Sequence, residues 1–400
     1  MRVTIRFLVF VISLSLISPG MAQEPAGIAS PSAFHCERAE DWNAFFDHKE
    51  GWLAGDGIFT LGIEGDSRQG STGDNSKTIF LFSDSFFGGA NPDGSFKPGL
   101  VMVNHCLAEL IGNKPDPAKM TFFTNTDSGN RPSNLFDRHF WLGDGIVVDG
   151  SLYTTGTVVD PRDWSMEGPW LIRVPIRNER LLLPEYETKR VALFHKDGLF
   201  EVLFGVGICD CGKDIEDIYV YGIRDKRGVP FYPRQLVVAK APRRSFAEIA
   251  TWRFWTGDRW SENIADCNRD EAALAKRMSN ELSVTRMTGG QYDGKFILVY
   301  TEFCITPSLN FAVSDSPFAK FSAPTTFYHC PEPKEYDDEV KAAHGPQANL
   351  VTYNAKAHPR LSKPGELLVS YNLNIFGMKE GMLFTDKKHA FPRFVKLKLP

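Results

Sequence analysis

The feature that most constrains the fold of this chain is a near repeat. WLAGDGIF at residues 52–59 returns as WLGDGIVV at residues 141–148. Both copies place a carboxylate between glycines, ahead of a run of apolar residues that is typical of a strand. Asp56 and Asp144 hold equivalent positions in the two copies. A chain that repeats a strand opening in this way is expected to be built from repeated units.

Strand-like segments dominate the rest of the chain. They are short, rich in β-branched and aromatic residues, and bounded by Gly, Pro, Asn or Asp. They read KTIFLFSDSF, GLVMVNHCLAEL, SLYTTGTVV, PWLIRVPI, DIYVYGIRD, QLVVAKA, KFILVYTEF, LNFAVSD, GELLVSYNLN and RFVKLKL. A helical pattern is convincing only at residues 245–252 and 270–280, the second with Asp270 as its predicted N-cap. The sequence therefore predicts an all-β protein.

Five of the predicted strand openings carry an acidic or polar residue. They are GWLAGDGIFTL, HFWLGDGIVVDGSLY, IEDIYVYGIRD, SNELSVTRM and YNAKAHPRLS. Such spacing predicts a five-bladed β-propeller, with four-stranded antiparallel blades around a central channel. Equivalent positions in a propeller face the same space, so we expect these polar residues to meet at one mouth of the channel. They are Asp56, Asp144, Glu216 or Asp217, Glu281 and residues 354–358.

The first 22 residues have the three parts of a secretory signal. Arg2 and Arg6 precede the apolar run FLVFVISLSLI, and small residues end at Ala22. We expect a mature chain that begins near Gln23 and is periplasmic or extracellular. Residues 23–49 form an N-terminal segment in this interpretation, and residues 50–400 form a single propeller domain. No later segment is apolar enough to serve as a membrane anchor.

The net charge and the cysteine content limit the classes of ligand and partner that this protein is expected to bind. The net charge of −4, with both signs mixed along the chain, favours neither a nucleic acid nor a membrane surface. Seven cysteines cannot all pair within one chain, and Cys209-Asp210-Cys211 lacks the further ligands of a zinc site. We expect a monomer without a cofactor or metal, and no ligand spacing supports a structural calcium.

Several carboxylates around an otherwise uncharged cleft suit the hydrolysis of glycosidic bonds. One carboxylic acid protonates the leaving oxygen, and an ionised carboxylate activates water or attacks the sugar. A third carboxylate raises the pKa of the acid by repulsion. Trp52 and Trp141 are candidate stacking faces for sugar rings.

The motifs WLAGDGIF, TIFLFSDSFFGG, Asn104-His105, WLGDGIVV, YVYGIRD, NELSV, YNAKAHP and GELLVSYNLN together resemble a known group. It comprises exported five-bladed propeller proteins of largely unknown function and includes endo-D-arabinanase glycoside hydrolases. The resemblance covers residues 50–398. Members of the group usually read Phe-Gly-Asp-Thr where this chain has Phe82-Ser83-Asp84-Ser85. The resemblance implies the fold more securely than the substrate, because close and distant members of the group need not act on the same sugar.

Position and resemblance together imply roles for these residues. Asp56 is the expected base or nucleophile, Glu281 the expected general acid, and Asp144 the residue that tunes them. The candidate substrate contacts are Asp84, Trp52, Trp141, Asp217, Arg224, Asn354, Lys356 and His358.

Each of these residues also has a purely structural interpretation. Asp56, Asp84 and Asp144 could cap turns, Glu281 could be a solvated charge at a helix end, His358 could be a buried core histidine, and both tryptophans could belong to the core.

The leading hypothesis is therefore an exported glycoside hydrolase that acts on an arabinan-like or other polysaccharide. The alternative is a non-catalytic propeller that binds a glycan or a protein. A polysaccharide lyase is a third hypothesis, for which Lys356 and His358 are the candidate groups.

Overall fold

The computed structural model describes residues 34–160, 166–213, 215–229, 232–377 and 386–399. The predicted signal segment, residues 1–22, lies outside the described residues. Within them the chain is all-β, as the sequence predicts, with only short helices: α1 (Glu40–Phe45), α2 (Glu332–Glu335) and α3 (Asp337–His344).

The strands follow one another along the chain with short connections. They are β1 (His35–Arg38), β2 (Glu50–Gly55), β3 (Phe59–Gly62), β4 (Lys77–Phe82), β5 (Ser85–Gly89), β6 (Val101–Val103), β7 (Cys106–Ile111), β8 (Met120–Phe123), β9 (Asn125–Thr126), β10 (Pro132–Ser133), β11 (Phe140–Val148), β12 (Ser151–Val159), β13 (Met166–Arg177), β14 (Arg180–Leu181), β15 (Glu187–Arg190), β16 (Phe194–Asp197), β17 (Phe200–Cys209), β18 (Asp217–Lys226), β19 (Gln235–Pro242), β20 (Arg253–Trp255), β21 (Trp260–Ser261), β22 (Ala275–Lys276), β23 (Leu282–Arg286), β24 (Phe296–Thr301), β25 (Ser308–Ser314), β26 (Thr325–His329), β27 (Asn349–Ala357), β28 (Glu366–Phe376) and β29 (Arg393–Lys398).

The larger sheets of the described chain are antiparallel and mostly contain consecutive strands. Their strand orders are β3-β4-β7-β8, then β11-β12-β13 with β14 and β15 paired to β13, then β16-β17-β18-β19-β20-β21 with β22 paired to β19, then β23-β24-β25-β26, and finally β27-β28-β29-β1. Two smaller sheets, β2-β5-β6 and β9-β10, belong to the first third of the chain.

Five strands, one from each larger sheet, line the centre of the molecule. β3, β11, β17, β23 and β27 contact one another in chain order. The return from the last sheet to the first is made by His358, whose Nδ1 lies 3.1 Å from the hydroxyl of Thr60. β1 pairs with β29, with His35 opposite Lys398, so the final sheet joins both ends of the described chain. Contacts between successive sheets thus run from the first sheet to the last and, through His358, back to the first, and we call this succession of sheets the ring.

The hydrophobic core lies between neighbouring sheets. Each of five apolar clusters joins the facing sides of two successive sheets, and the last joins the final sheet to the first. In that closing cluster, Phe46 after α1 stacks on Phe394 of β29 at 5.1 Å, and Phe80 and Phe82 of β4 lie beside it. Because each sheet covers its neighbour, burial of the apolar faces requires no covering helix.

The third unit begins earlier than the sequence indicated. IEDIYVYGIRD contributes β18, the third strand of its sheet, while the strand that contacts the neighbouring sheets is β17. β17 has Gly205-Val206-Gly207 where β11 has Gly143-Asp144-Gly145, so the acidic pattern did not mark it. Asp217 consequently starts an outer strand.

Both helices predicted in the middle of the chain are wrong. Residues 245–252 contain only a short 3₁₀ turn at Ile249–Thr251, and residues 270–280 contain another at Asp270–Ala272 followed by β22. Asp270 does not cap a helix, because its carboxylate accepts hydrogen bonds from Arg224 and Gln235. Contacts between distant segments outweigh the local helix preference here.

Candidate active site

The repeated Gly-Asp-Gly is explained by close approach of the backbone. A Cβ atom on Gly57 would lie 2.4 Å from Ser83 Oγ, and one on Gly143 would lie 2.3 Å from the carbonyl oxygen of Gly205. Only glycine fits such positions. The glycines thus let the strand that carries them pack closely against its neighbours. The aspartate between the two glycines then lies at the ring.

Asp56 and Asp84 are brought together by backbone hydrogen bonds. The Asp56 N–H donates to the Asp84 carbonyl at 3.0 Å, and the Ser83 N–H donates to the Asp56 carbonyl at 2.8 Å. The hydroxyl of Tyr353 donates to Asp56 Oδ2 at 2.6 Å. Burial, with Asp84 and Glu281 nearby, raises the pKa of Asp56 well above its usual range.

Asp84 has two further polar partners. Asn104 Nδ2 donates to its Oδ1 at 3.1 Å, and the side chain of Trp141 also hydrogen-bonds to it. Burial nevertheless raises the pKa of Asp84 to about 6. Two neighbouring carboxyl groups with raised pKa values titrate as a pair, so a proton stays on this pair to higher pH than on an ordinary aspartate.

Asp144 sits at an irregularity in β11. The register with β12 shifts between Leu142 and Gly145, and the Asp144 carboxylate accepts the N–H groups of Gly145 at 2.7 Å and Ile208 at 2.6 Å. Burial raises its pKa to about 7 in spite of these two donors. Asp144 therefore ties β11 to β17 and adds a third carboxyl group to the cluster.

Glu281 and Lys356 form an ion pair across the ring. Glu281 immediately precedes β23, Lys356 lies in β27, and the ammonium group contacts Glu281 Oε2. Lys356 is only 1% exposed and lies 4.2 Å from the centre of the Phe59 ring, whereas Glu281 keeps 20% of its side chain exposed. Charge interactions link this pair to both Asp56 and Asp144.

The structure thus brings together five of the residues that the sequence singled out: Asp56, Asp84, Asp144, Glu281 and Lys356. We call this set, together with Tyr353, the carboxylate cluster. Trp141 is half-buried at its edge, beside Asp84. The cluster draws on four of the five larger sheets, from stretches of the chain nearly 300 residues apart.

Tyr353 was not singled out from the sequence. It lies in the YNAKAHP stretch, next to Asn354, which has a left-handed backbone with φ of 58°. A non-glycine residue in this conformation is strained, and such strain is common at functional sites. In the sequence, Tyr353 belongs to no repeated motif that would have predicted a role in the site.

The remaining predicted contacts lie elsewhere, which corrects those expectations. Trp52 is 2% exposed and stacks on Phe122 at 5.2 Å, so it has no free face for a sugar. Asp217 pairs with Lys240 at 2.8 Å. Arg224 is buried against Phe200 and donates to Asn268 and Gln235.

His358 is a buried structural residue. It is completely closed to solvent, with Nδ1 3.1 Å from Thr60 Oγ1 and Nε2 2.8 Å from Ser370 Oγ. Burial lowers its pKa to about 3, and the Lys356 charge acts in the same direction. The structure therefore favours the core interpretation of this histidine over substrate contact.

His358 makes a testable contribution to the pH dependence of stability. The folded state holds it neutral down to a pKa of about 3, while the unfolded chain takes up a proton below about pH 6.5. Its contribution is therefore present above pH 6.5 and is lost as pH falls, by about 2 kcal/mol at pH 5. Denaturant unfolding of wild type and His358→Gln at pH 7 and pH 5 measures this, since the buried carboxyl groups affect both proteins alike. An equal pH dependence of the two proteins would contradict the assignment.

Neither a metal-binding cluster nor a membrane-spanning helix is found among the described residues. No group of three or more His, Cys, Asp or Glu side chains there is arranged to hold a metal ion. No helix in the same ranges has the length and apolar character needed to cross a bilayer.

Residues 39–398 match the model of a protein family described as a domain of unknown function, DUF5005. This chain belongs to the DUF5005 family. A search of curated proteins found no match to this DUF5005 protein.

Solved structures show a related fold. A protein of Bacteroides ovatus ATCC 8483, described as a candidate hydrolase, aligns with a TM-score of 0.66 and 15% identity over 94% of this chain and 96% of that one. A protein of unknown function from Dyadobacter fermentans aligns with a TM-score of 0.41 and 10% identity, over 88% and 99% of the two chains. The GH43_1 enzyme of Xanthomonas citri in complex with xylose has a TM-score of 0.39 and 11% identity, over 84% and 90%. The first similarity shows a shared fold, and the other two are too weak to support a conclusion about this DUF5005 protein.

Proposed function

We propose that this protein is an exported glycoside hydrolase that cleaves a polysaccharide at the carboxylate cluster. The observation that carries the proposal is the presence of two kinds of carboxyl group in one cluster. The Asp56–Asp84 pair has raised pKa values, and Glu281 is ion-paired with Lys356. Glycosidic hydrolysis needs one protonated and one ionised carboxyl group around the scissile bond.

The chemistry of the two groups suggests their roles. Asp56 is proposed as the general acid, because burial and Asp84 favour its protonated form. Glu281 is proposed as the base or nucleophile, because it is ion-paired with Lys356 and keeps 20% of its side chain exposed. This assignment reverses the roles that the sequence implied. Asp144 is proposed to tune the pair through its charge interactions with Lys356 and Glu281.

We further propose that the five sheets are the blades of a five-bladed propeller and that the cluster lies at one mouth of its channel. Support comes from the successive contacts of β3, β11, β17, β23 and β27, and from the apolar cluster and His358 that join the last sheet to the first. The Bacteroides ovatus protein of similar fold is described as a candidate hydrolase, which is the same broad class of reaction. Trp141, beside Asp84, is the proposed stacking face for a sugar of an arabinan-like or other glycan.

A polysaccharide lyase is supported less well. Such an enzyme needs a base next to a cation, and Tyr353 and Lys356 both belong to the cluster. Burial and the contact with Asp56 raise the pKa of Tyr353 well above its usual range. A tyrosine held in its neutral form is a poor base, so hydrolysis fits the geometry better.

The test is sugar release from a panel of arabinans, galactans and other polysaccharides. We expect the wild type to release reducing sugar from at least one of them, and Asp56→Asn and Glu281→Gln to lose at least a hundredfold of that rate. Asp74→Asn and Glu248→Gln are matched controls on exposed side chains, and both are expected to retain full activity. Binding to a glycan without release by the wild type would instead support a non-catalytic propeller. Unsaturated products would indicate a lyase.

A further inference from the structure

β17 ends in a pair of cysteines that the carboxylate cluster does not use. The sulfur atoms of Cys209 and Cys211 are 3.8 Å apart and in hydrogen-bonding contact. Both side chains are buried, and both thiols are free. A disulfide needs about 2.05 Å between sulfurs, so rotation of the two side chains is the main movement required for a bond.

The segment that carries the two sulfurs is fixed by Arg243. Its guanidinium contacts the carboxylate of Asp210 and donates to the Gly212 carbonyl at 2.9 Å and to the Ile215 carbonyl at 3.1 Å. The Gly212 N–H in turn donates to Asp210 Oδ1 at 3.0 Å. These bonds on both sides of Cys211 keep the two thiols facing each other.

The two thiols have different electrostatic surroundings. The hydrogen bond with Cys209 lowers the pKa of Cys211, and the charges of Arg286 and Arg243 act in the same direction against the effect of burial. The same hydrogen bond, together with burial, raises the pKa of Cys209 well above its usual range. A thiolate is the reactive form of cysteine, so Cys211 is the better nucleophile and Cys209 the better second thiol.

Access to the pair is narrow. Cys209 lines a cavity of about 50 Å³ whose wall also includes Arg286, Thr285 and Asp210. The hydroxyl of Thr285 has no hydrogen-bond partner within the described protein. A water molecule needs roughly 10–15 Å³ of such space, and hydrogen peroxide about twice that amount. The cavity reaches Cys209 and not Cys211, so it has room for a small peroxide beside Cys209, whose sulfur is 3.8 Å from that of Cys211. Burial of both thiols excludes a tripeptide thiol such as glutathione.

We propose that Cys209 and Cys211 form a dithiol site that reacts with small hydroperoxides and closes to an intramolecular disulfide. In the first step the Cys211 thiolate attacks one peroxide oxygen, the O–O bond breaks, and Cys211 becomes a sulfenic acid while hydroxide, or an alkoxide from an alkyl hydroperoxide, leaves. In the second step the Cys209 sulfur attacks the sulfenic sulfur, the S–S bond forms, and the sulfenic oxygen leaves as water with the thiol proton. The peroxide is reduced by two electrons, and the two thiols supply them.

The dithiol site does not depend on the proposed hydrolase activity. Its oxidation is read from the cysteines themselves, so failure of one proposal leaves the other standing. The two sites are nevertheless adjacent along β17, because the N–H of Ile208, the residue before Cys209, donates to Asp144.

The test is peptide mass spectrometry of the folded full-length protein. The protein is reduced, freed of reductant, treated with hydrogen peroxide, and then denatured and alkylated. Trypsin releases residues 197–213, in which Cys209 and Cys211 are the only cysteines. We expect this peptide to lose both alkyl labels, to be two hydrogen atoms lighter than the dithiol form, and to regain both labels after reduction. Full labelling of both cysteines after peroxide treatment would overturn the proposal.

Control variants and control cysteines sharpen the result. In Cys209→Ser, Cys211 has no partner thiol, so we expect a sulfenic acid that a dimedone probe traps. Cys106 and Cys267 are buried single thiols and should stay fully labelled in the same sample. Oxidised glutathione should leave residues 197–213 unchanged. A glutathione adduct on Cys211, or loss of label at all cysteines alike, would contradict a selective peroxide site.

Discussion

Asp56→Asn is expected to lose at least a hundredfold in turnover of a polysaccharide but to keep most of its activity on an aryl glycoside with a good leaving group. An activated leaving group departs without protonation, so loss of a general acid affects it little. Glu281→Gln should lose activity on both kinds of substrate, because attack on the sugar, or activation of water, fails whatever the leaving group. Added azide should restore part of the Glu281→Gln activity on the aryl glycoside by replacing the missing carboxylate.

The opposite pattern would restore the roles that the sequence implied. If Glu281→Gln kept activity on the activated substrate and Asp56→Asn did not, Glu281 would be the acid and Asp56 the base. Equal loss in both variants on both substrates, with no rescue, would mean that neither residue has the proposed role. Melting temperatures of both variants are needed beside the kinetics, because each residue interacts with Lys356 or Tyr353.

Arg360→Met is expected to lower the free energy of unfolding by about 3 kcal/mol, the largest stability effect that we expect from a single polar side chain here. Arg360 is completely buried and follows β27 in the last sheet. Its guanidinium donates to Glu64 at 3.0 Å, in the turn after β3, and to Thr78 at 3.0 Å and the Lys77 carbonyl at 3.2 Å, both in β4 of the first sheet. Methionine fills similar space but leaves the Lys77 and Asp66 carbonyls without this donor.

Denaturant unfolding of wild type and variant measures this loss. Arg131→Met is the matched control, since Arg131 pairs with Asp127 on the surface and is 68% exposed. An exposed ion pair adds little, so the control should unfold like the wild type. Equal midpoints for Arg360→Met and wild type would show that the apolar cluster around Phe46 and Phe394 closes the ring unaided.

The glycines of the repeat and the acidic strand openings were the features of the sequence that best predicted the carboxylate cluster. The duplicated Gly-Asp-Gly placed Asp56 and Asp144 correctly in the ring, because glycine was required there by the close approach of two backbones. The acidic residues at the strand openings of the first, second and fourth units were assigned to one cluster because equivalent openings were expected to meet. The third unit was missed because β17 has apolar residues and glycine where the others have a carboxylate.

The repeat did not predict the surroundings of its two tryptophans. Trp52 precedes Asp56 by four residues and Trp141 precedes Asp144 by three, and Trp52 packs against Phe122 in the core whereas Trp141 reaches Asp84 at the cluster. Trp52 lies in β2 of the extra sheet β2-β5-β6, and Phe122 of β8 covers it. A repeat in sequence fixes the position of a residue in its unit but says nothing about what an insertion places over it.

The sequence by itself determined the all-β class, the repeated units and most members of the carboxylate cluster. These features depend on strand periodicity and on glycine, which act locally along the chain. Only the tertiary structure decided which carboxyl group is paired with Lys356, which is buried beside another carboxyl group, and that Tyr353 donates to Asp56. Protonation depends on burial and on neighbouring charges within a few ångströms, and here the neighbours come from opposite ends of the chain.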